Sequence, residues 1–228
     1  MAIHPVDGSV YVAGYTTSGV LSGSSGGAQA SSAGGEDGFV MRFDAPLTTR
    51  LQATFFGGSD VDRAAAVAID PADGDVLIAG YTYSTVLPAT AGRMQPAYGG
   101  TADGFIARIN AGLTALRGAT YVGGSGLDVV NSVVVEPATG DVVSAGQTRS
   151  MDLPGTASGA QGGPSGNLSF QTDGFLVRVD ETLSTRVGST YFGGTGDDDI
   201  KALAISAVDG DLYMVGISSS SDLPGRSS

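Results

Sequence analysis

Aspartates recur in glycine-rich segments that have the spacing of a calcium-binding motif. Gly123-Gly-Ser-Gly-Leu-Asp128 and Gly193-Gly-Thr-Gly-Asp-Asp198 fit the nonapeptide pattern G-G-x-G-x-D-x-U-x, and Gly57-Gly-Ser-Asp-Val-Asp62 fits it in part. Carboxylate and carbonyl oxygens are the ligands that Ca²⁺ prefers. The candidate calcium ligands are therefore Asp62, Asp128, Asp197, Asp198 and Asp199.

The run Asp197-Asp-Asp199 is the best single candidate, because three adjacent carboxylates repel one another unless they are solvated or paired with a cation. The nonapeptide fold, however, needs tandem copies, since successive turns share each ion. Here the equivalent Asp62, Asp128 and Asp198 are 66 and 70 residues apart. We therefore favour the alternative, a glycine-rich turn between strands in which each aspartate accepts backbone N–H bonds.

Catalytic chemistry has few candidates. His4 is the only histidine, and no nucleophile–histidine pair is visible. The absence of cysteine excludes thiol catalysis and zinc–thiolate sites. The recurrent Arg42, Arg108 and Arg178 could form a basic ring that binds an anion, but we expect each to pair with a carboxylate of the repeat. We therefore predict no catalytic residue and no enzyme.

The charge balance narrows the classes of partner. The chain has 23 acidic and 11 basic residues, for a net charge of −12. Such a surface repels phosphate backbones and anionic lipids, so we expect neither a nucleic-acid partner nor membrane insertion.

No stretch approaches the ~20 apolar residues of a transmembrane helix. The first seven residues lack the basic start and apolar run of a signal peptide. Either export is absent or the chain is a mature form or a fragment.

Blocks of sequence recur in one register, which makes the chain an array of one structural unit. The blocks are D-G-F at Asp37, Asp103 and Asp173, T-x-x-G-G at Thr54, Thr120 and Thr190, and A-G-x-T or a close variant ending at Thr16, Thr82, Thr148 and Ser218. The units span 1–63, 64–129, 130–199 and 200–228, and the last is partial. All four belong to one domain.

One unit contains four strand-like segments, at 64–70, 75–82, 103–110 and 116–122. An Asp-Gly pair at Asp73-Gly74 predicts a tight hairpin between the first two. Four short antiparallel strands repeated at fixed spacing are typical of a β-propeller blade. We therefore expect an all-β fold in which three full blades and a half blade form a segment of a larger propeller.

The partial unit predicts a partner. Three and a half blades cannot close a ring alone, and the last half blade would expose an unpaired strand edge. We expect either the remainder of a propeller or a different protein to complete that blade. The long connection between the second and third strands keeps a fixed pattern of its own, so we expect it to be ordered.

The repeat resembles the bacterial β-propeller family often called SBBP repeats. Thr190-Tyr-Phe-Gly-Gly-Thr-Gly-Asp-Asp198 and Ala79-Gly-Tyr-Thr-Tyr-Ser84 carry the resemblance most closely. It implies a propeller, often seven-bladed, in large exported or surface-attached bacterial proteins, and hence an extracellular, periplasmic or cell-surface location. It implies no shared catalytic motif. The first copy departs most, since Leu21-Ser22 lacks the proline and Asp60 replaces a glycine.

Two functions from different classes follow from these observations. The first is a non-enzymatic repeat module that acts as a structural or protein-binding scaffold in an exported or cell-surface assembly. The alternative is a calcium-dependent adhesion or binding module that uses the Gly-Gly-x-Gly-x-Asp loops. No cofactor other than calcium is expected.

Overall fold

The computed structural model describes residues 1–206 and 208–225. Strands cover 45% of the residues. The described part contains no α-helix, and its one helical turn is the 3-10 helix Thr156–Ser158. The strands form three four-stranded antiparallel sheets and one two-stranded sheet. The prediction of an all-β fold built from blade-like sheets is confirmed, while the closed ring stays a prediction.

In every sheet the order of the strands is their order along the chain. The first sheet contains β1 (Ala2–Ile3), β2 (Val10–Thr16), β3 (Asp37–Phe43) and β4 (Arg50–Phe56). The second contains β5 (Asp62–Ile69), β6 (Val76–Thr82), β7 (Asp103–Ile109) and β8 (Leu116–Val122). The third contains β9 (Asp128–Val135), β10 (Val142–Thr148), β11 (Asp173–Val179) and β12 (Arg186–Phe192). The fourth contains β13 (Asp198–Ile205) and β14 (Leu212–Ser218).

The second and third strands pair in the same register in each four-stranded sheet. In the second sheet Thr82 opposes Asp103, and Gly80 opposes Phe105. The first and third sheets repeat this pairing at the equivalent residues. A Cβ on Gly80 would lie only 1.8 Å from the carbonyl oxygen of Arg63, so this strand needs glycine there. The register therefore follows the repeat of the sequence.

The first strand of a unit begins two residues before its predicted start. The segment predicted at 64–70 is observed as Asp62–Ile69. The register shifts between Ala64 and Ala66, which is the mark of a β-bulge, and pairing continues to Asp62 opposite Thr82. Because the bulge breaks the alternation of side chains, the sequence pattern does not reveal this extension.

The core lies between neighbouring sheets. Phe105 is fully buried between the first and second sheets, where its ring centroid is 5.0 Å from that of Phe56. Phe175 is equally buried in the cluster that joins the second and third sheets. Phe39 is only half-buried, because no sheet formed by the described residues covers its side of the first sheet.

The second strands show the same effect at the other end of the array. Because equivalent repeats bury equivalent faces, the sequence predicts equal burial for Ala13, Ala79, Ala145 and Val215. Ala79 and Ala145 are fully buried, and Ala13 is partly buried against the core. For Val215 the prediction is wrong, since it is 66% exposed. The repeat places it correctly in β14, but no sheet covers that face of the fourth sheet among the described residues.

The connection between the second and third strands is ordered, as predicted. In the second sheet the Tyr121 hydroxyl accepts a hydrogen bond from the Leu87 amide and donates one to the Ser84 carbonyl, each at 2.9 Å. Tyr191 makes the equivalent pair of bonds in the third sheet. The connection is therefore tied to the outermost strand of its own sheet.

Candidate binding sites

Three of the predicted calcium aspartates, Asp62, Asp128 and Asp198, are buried, and each begins the first strand of a new sheet. Asp128 is fully buried, and its Oδ2 accepts hydrogen bonds from the Gly124 amide at 2.8 Å and from Ser150 Oγ at 2.7 Å. Its Oδ1 accepts a short hydrogen bond from Thr148 Oγ1. Asp62 has the same three kinds of donor, and Asp198 has the equivalent amide and serine donors. Each of these three aspartates therefore accepts a backbone N–H bond from the glycine-rich turn that precedes it.

The run of three aspartates does not converge on one point. The exposed Asp197 accepts a hydrogen bond from the Thr172 amide at 3.0 Å. Asp198 points inward, and Asp199 forms an ion pair with Lys201 at 2.5 Å. Within the described ranges, no three metal-ligating side chains come together. The strongest candidate in the sequence is thus divided among three different environments.

A second buried aspartate lies against each of the first. Asp103 is fully buried, and its Oδ2 accepts hydrogen bonds from the Gly99 amide at 2.8 Å and from Gln95 Nε2 at 3.1 Å. A Cβ added to Gly123 would lie 3.0 Å from Asp103 Oδ1 and 2.7 Å from Asp128 Oδ2. The two carboxyl groups therefore meet over this glycine. The equivalent pairs are Asp37 with Asp62 over Gly57, and Asp173 with Asp198 over Gly193.

The paired carboxyl groups differ in how well they are satisfied. Asp103 Oδ1 in one pair, and both Asp173 Oδ1 and Asp198 Oδ1 in another, are buried and have no hydrogen-bond partner among the described residues. Burial, together with a smaller effect of the neighbouring Asp128 carboxylate, raises the pKa of Asp103 to about 7. Burial likewise raises the pKa of Asp173 to about 6. No arginine or lysine of the described residues pairs with Asp103 or Asp173, so a proton or a cation is what could neutralise these two groups.

Sequence reasoning missed the aspartates of these pairs that precede Gly-Phe. Asp37, Asp103 and Asp173 open all three D-G-F blocks. An acidic residue kept at the start of an otherwise apolar strand is the signal that could have identified them. Which second aspartate lies beside each of them, however, depends on how one sheet packs against the next, and the sequence of one repeat does not show this.

The recurrent arginines pair with carboxylates, as expected. Arg108 contacts Asp70 at 2.7 Å, Asp73 at 2.9 Å and Asp75 at 3.0 Å. Its Nη1 also donates to the carbonyl of Glu181 in the next sheet, at 3.0 Å. The other two recurrent arginines form ion pairs with acidic residues of their own units. These arginines therefore stabilise the blades and their joints rather than forming an anion-binding ring.

His4 closes a turn. Its Nδ1 lies 3.1 Å from Asp7 Oδ1 and accepts a hydrogen bond from the Val6 amide at 3.3 Å. These contacts give the imidazole a structural role in the turn, and neither of them joins it to a nucleophilic side chain.

The fourth sheet ends in an open strand. All seven residues of β14 are exposed, including Tyr213 at 59% and Ile217 at 66%. In the three preceding sheets the second strand has a neighbour on both sides, whereas in the described residues β14 pairs only with β13. Its outer edge therefore presents unpaired backbone N–H and C=O groups.

A cavity of about 290 Å³ lies between the third sheet and this open edge. We call it the terminal groove. Its apolar wall contains Val143, Leu176, Ile205 and Leu212, and Arg178 lies on its rim. The open edge and the terminal groove adjoin each other, since Leu212 belongs to both.

Comparison with known proteins returned no match to any family, and no curated protein resembles the chain closely enough to count as a relative. Along residues 1–206 and 208–225, no helix has the length and the hydropathy that crossing a membrane requires. Any function must therefore be argued from the sites themselves.

Proposed function

We propose that the chain is a non-enzymatic scaffold that binds a protein segment by adding a β-strand to the outer edge of β14. The exposed edge of β14 carries this proposal. Unpaired strand edges template further strands, and natural proteins usually cover or break them. Strand addition takes its affinity from backbone hydrogen bonds and its specificity from alternate side chains.

The three complete sheets indicate which strand would fit. Each third strand carries a phenylalanine at its third position and an arginine at its sixth. The arginine reaches the turn between the first two strands, as Arg108 reaches Asp75 and Arg178 reaches Asp141. Asp211 is the equivalent acidic residue beside β14, and it is exposed. The preferred partner is therefore an apolar strand with one arginine near its end.

A hairpin peptide with the sequence of residues 173–192 tests this function. We expect the labelled peptide to bind saturably in a fluorescence anisotropy titration. In the control peptide Leu176 and Val177 are both replaced by proline. Because adjacent residues direct their N–H groups to opposite edges, one of the two prolines removes a donor that faces β14. Equal binding by the two peptides would contradict strand addition.

A calcium-dependent binding module is the second candidate. The unpartnered Oδ1 atoms of Asp103 and Asp173 favour it, since each lies beside a second carboxylate that could ligate the same hard cation. An ion that binds only the folded state raises the melting temperature by mass action. Thermal melting at increasing Ca²⁺, with Mg²⁺ as the comparison, tests this function. An unchanged melting temperature would count against it.

We also propose an exported or cell-surface location, which rests on the resemblance of the repeat alone. Fractionation of the producing cells, followed by detection of the chain, tests it. Recovery with the cytoplasmic fraction only would contradict the proposed location.

A further inference from the structure

The places equivalent to the terminal groove are filled between the other sheets. Between the second and third sheets, the fully buried Leu183 belongs to one cluster with Leu77, Ile106, Val135 and Val142. One repeat later, these four positions are Val143, Leu176, Ile205 and Leu212, which form the wall of the terminal groove. The groove therefore has the shape of a site whose usual occupant is a leucine from the following blade.

The joint between the first and second sheets gives a second example. Leu113 is fully buried there, in one cluster with Tyr11, Val40 and Val76. Leu113 and Leu183 lie in the turn between the third and fourth strands of their own sheets. In each case one blade inserts a single leucine into the face of the blade before it.

The turn that carries the leucine has a fixed geometry. Leu47, Leu113 and Leu183 have φ values of 58°, 58° and 59°, in the left-handed region that leucine rarely adopts. An Asp or Asn three residues earlier holds the turn. In the second sheet Asn110 Oδ1 accepts hydrogen bonds from the amides of Thr114 at 2.7 Å and Ala115 at 2.9 Å. The motif is thus Asp/Asn-x-x-Leu.

Two hydrogen bonds fix this turn on the preceding blade. The Met94 amide donates to the Leu183 carbonyl at 2.8 Å. Arg108 Nη1 donates to the Glu181 carbonyl at 3.0 Å. At the terminal groove the equivalent donors are the Ala160 amide and Arg178 Nη1. The Ala160 amide makes no hydrogen bond among the described residues, and Arg178 donates there only through Nε and Nη2. The groove therefore presents the donors as well as the apolar wall.

We propose that the terminal groove binds the leucine of an Asp/Asn-x-x-Leu turn, carried by the same hairpin that pairs with β14. The inference rests on the proposed strand addition and specifies its partner. A second copy of the chain does not fit as the occupant. It offers the 63%-exposed Leu47, but the hairpin that carries Leu47 is already paired with β2, which would take the place of β14.

The hairpin peptide of residues 173–192 contains this turn, so variants of it test the groove separately from the edge. Leu183→Ala in the peptide should weaken binding about tenfold or more, because a buried leucine side chain is lost. Val187→Ala is the matched control, since that apolar side chain lies outside the turn and is 54% exposed, and it should bind like the unmodified peptide. In the protein, Ala160→Trp should block the groove. Ala160 is exposed, and an unchanged melting temperature verifies that the variant folds.

Amide hydrogen exchange reports on the two surfaces independently. With the unmodified peptide bound, we expect slower exchange at the β14 amides and at the Ala160 amide. If only the β14 amides are protected and the Leu183→Ala peptide binds as tightly as the unmodified peptide, leucine binding in the terminal groove is contradicted. Strand addition to β14 would still stand. Absence of any binding by the unmodified peptide would overturn both.

Discussion

At the scale of single residues, the buried pair Asp103 and Asp128 divides two roles between chemically identical side chains. Burial raises the pKa of Asp128 above its ordinary value, but the three hydrogen bonds that it accepts favour its charged form and oppose this shift. Asp103 keeps one oxygen without a donor beside it. A proton on Asp103 Oδ1 would satisfy that oxygen and remove the repulsion between the two groups. We therefore assign the charge to Asp128 and the proton to Asp103.

This assignment predicts that stability falls as pH rises. The pKa of Asp103 is about 7 in the folded chain, against an ordinary value of 3.8. Between these values the folded state holds a proton that the unfolded state has released, so each rise in pH favours unfolding. Asp173, at about 6, contributes in the same direction. Thermal melting between pH 4 and pH 8 measures the slope. We expect the melting temperature to decrease across this range.

Asp103→Asn should flatten that slope and maintain stability at pH 8. The amide keeps an acceptor for the Gly99 N–H group and places a donor beside Asp128. Asp44→Asn is the matched control, because Asn110 stands at the equivalent position of the next unit. An Asp103→Asn protein with the pH slope of the unmodified chain would refute the assignment.

At the scale of single elements, burial of equivalent residues depends on whether a neighbouring sheet is present. Phe105→Ala removes a fully buried ring and should lower the free energy of unfolding by about 3–5 kcal/mol. Phe39→Ala makes the same change in the half-buried copy and should cost clearly less. Chemical denaturation of both variants measures the difference. A loss below about 1 kcal/mol for Phe105→Ala would contradict its core position.

The sequence predicts what is local and misses what depends on stacking. The Asp73-Gly74 hairpin and the strands beside it follow from turn chemistry and apolar patterning, and they are observed where expected. The early start at Asp62 depends on a bulge that breaks the pattern. The role of Asp103 and the exposure of Val215 depend on which sheet lies opposite, and a single repeat carries no such information.

At the scale of the whole molecule, the open edge predicts self-association. We expect the 228-residue chain to form concentration-dependent aggregates, because the backbone groups of β14 are unpaired. Adding one further unit with a D-G-F block and a T-Y-x-G-G block should suppress this. Light scattering over a concentration series measures both proteins.

The control extension has the same length but carries two adjacent prolines in its D-G-F strand, so it cannot pair with β14. It should aggregate like the original chain. A stable monomer of the unextended chain at all concentrations would contradict association through the edge of β14.

The order of the strands also bears on how the molecule assembles. Every hydrogen-bonded neighbour in a sheet is the next strand along the chain. Such a sheet forms by closing short loops, which costs little chain entropy and favours rapid folding. A first sheet can therefore act as a nucleus, and the array then grows by adding one blade at a time in either direction. The two-stranded fourth sheet, with a neighbour on one side only, would be the last to form and the first to open.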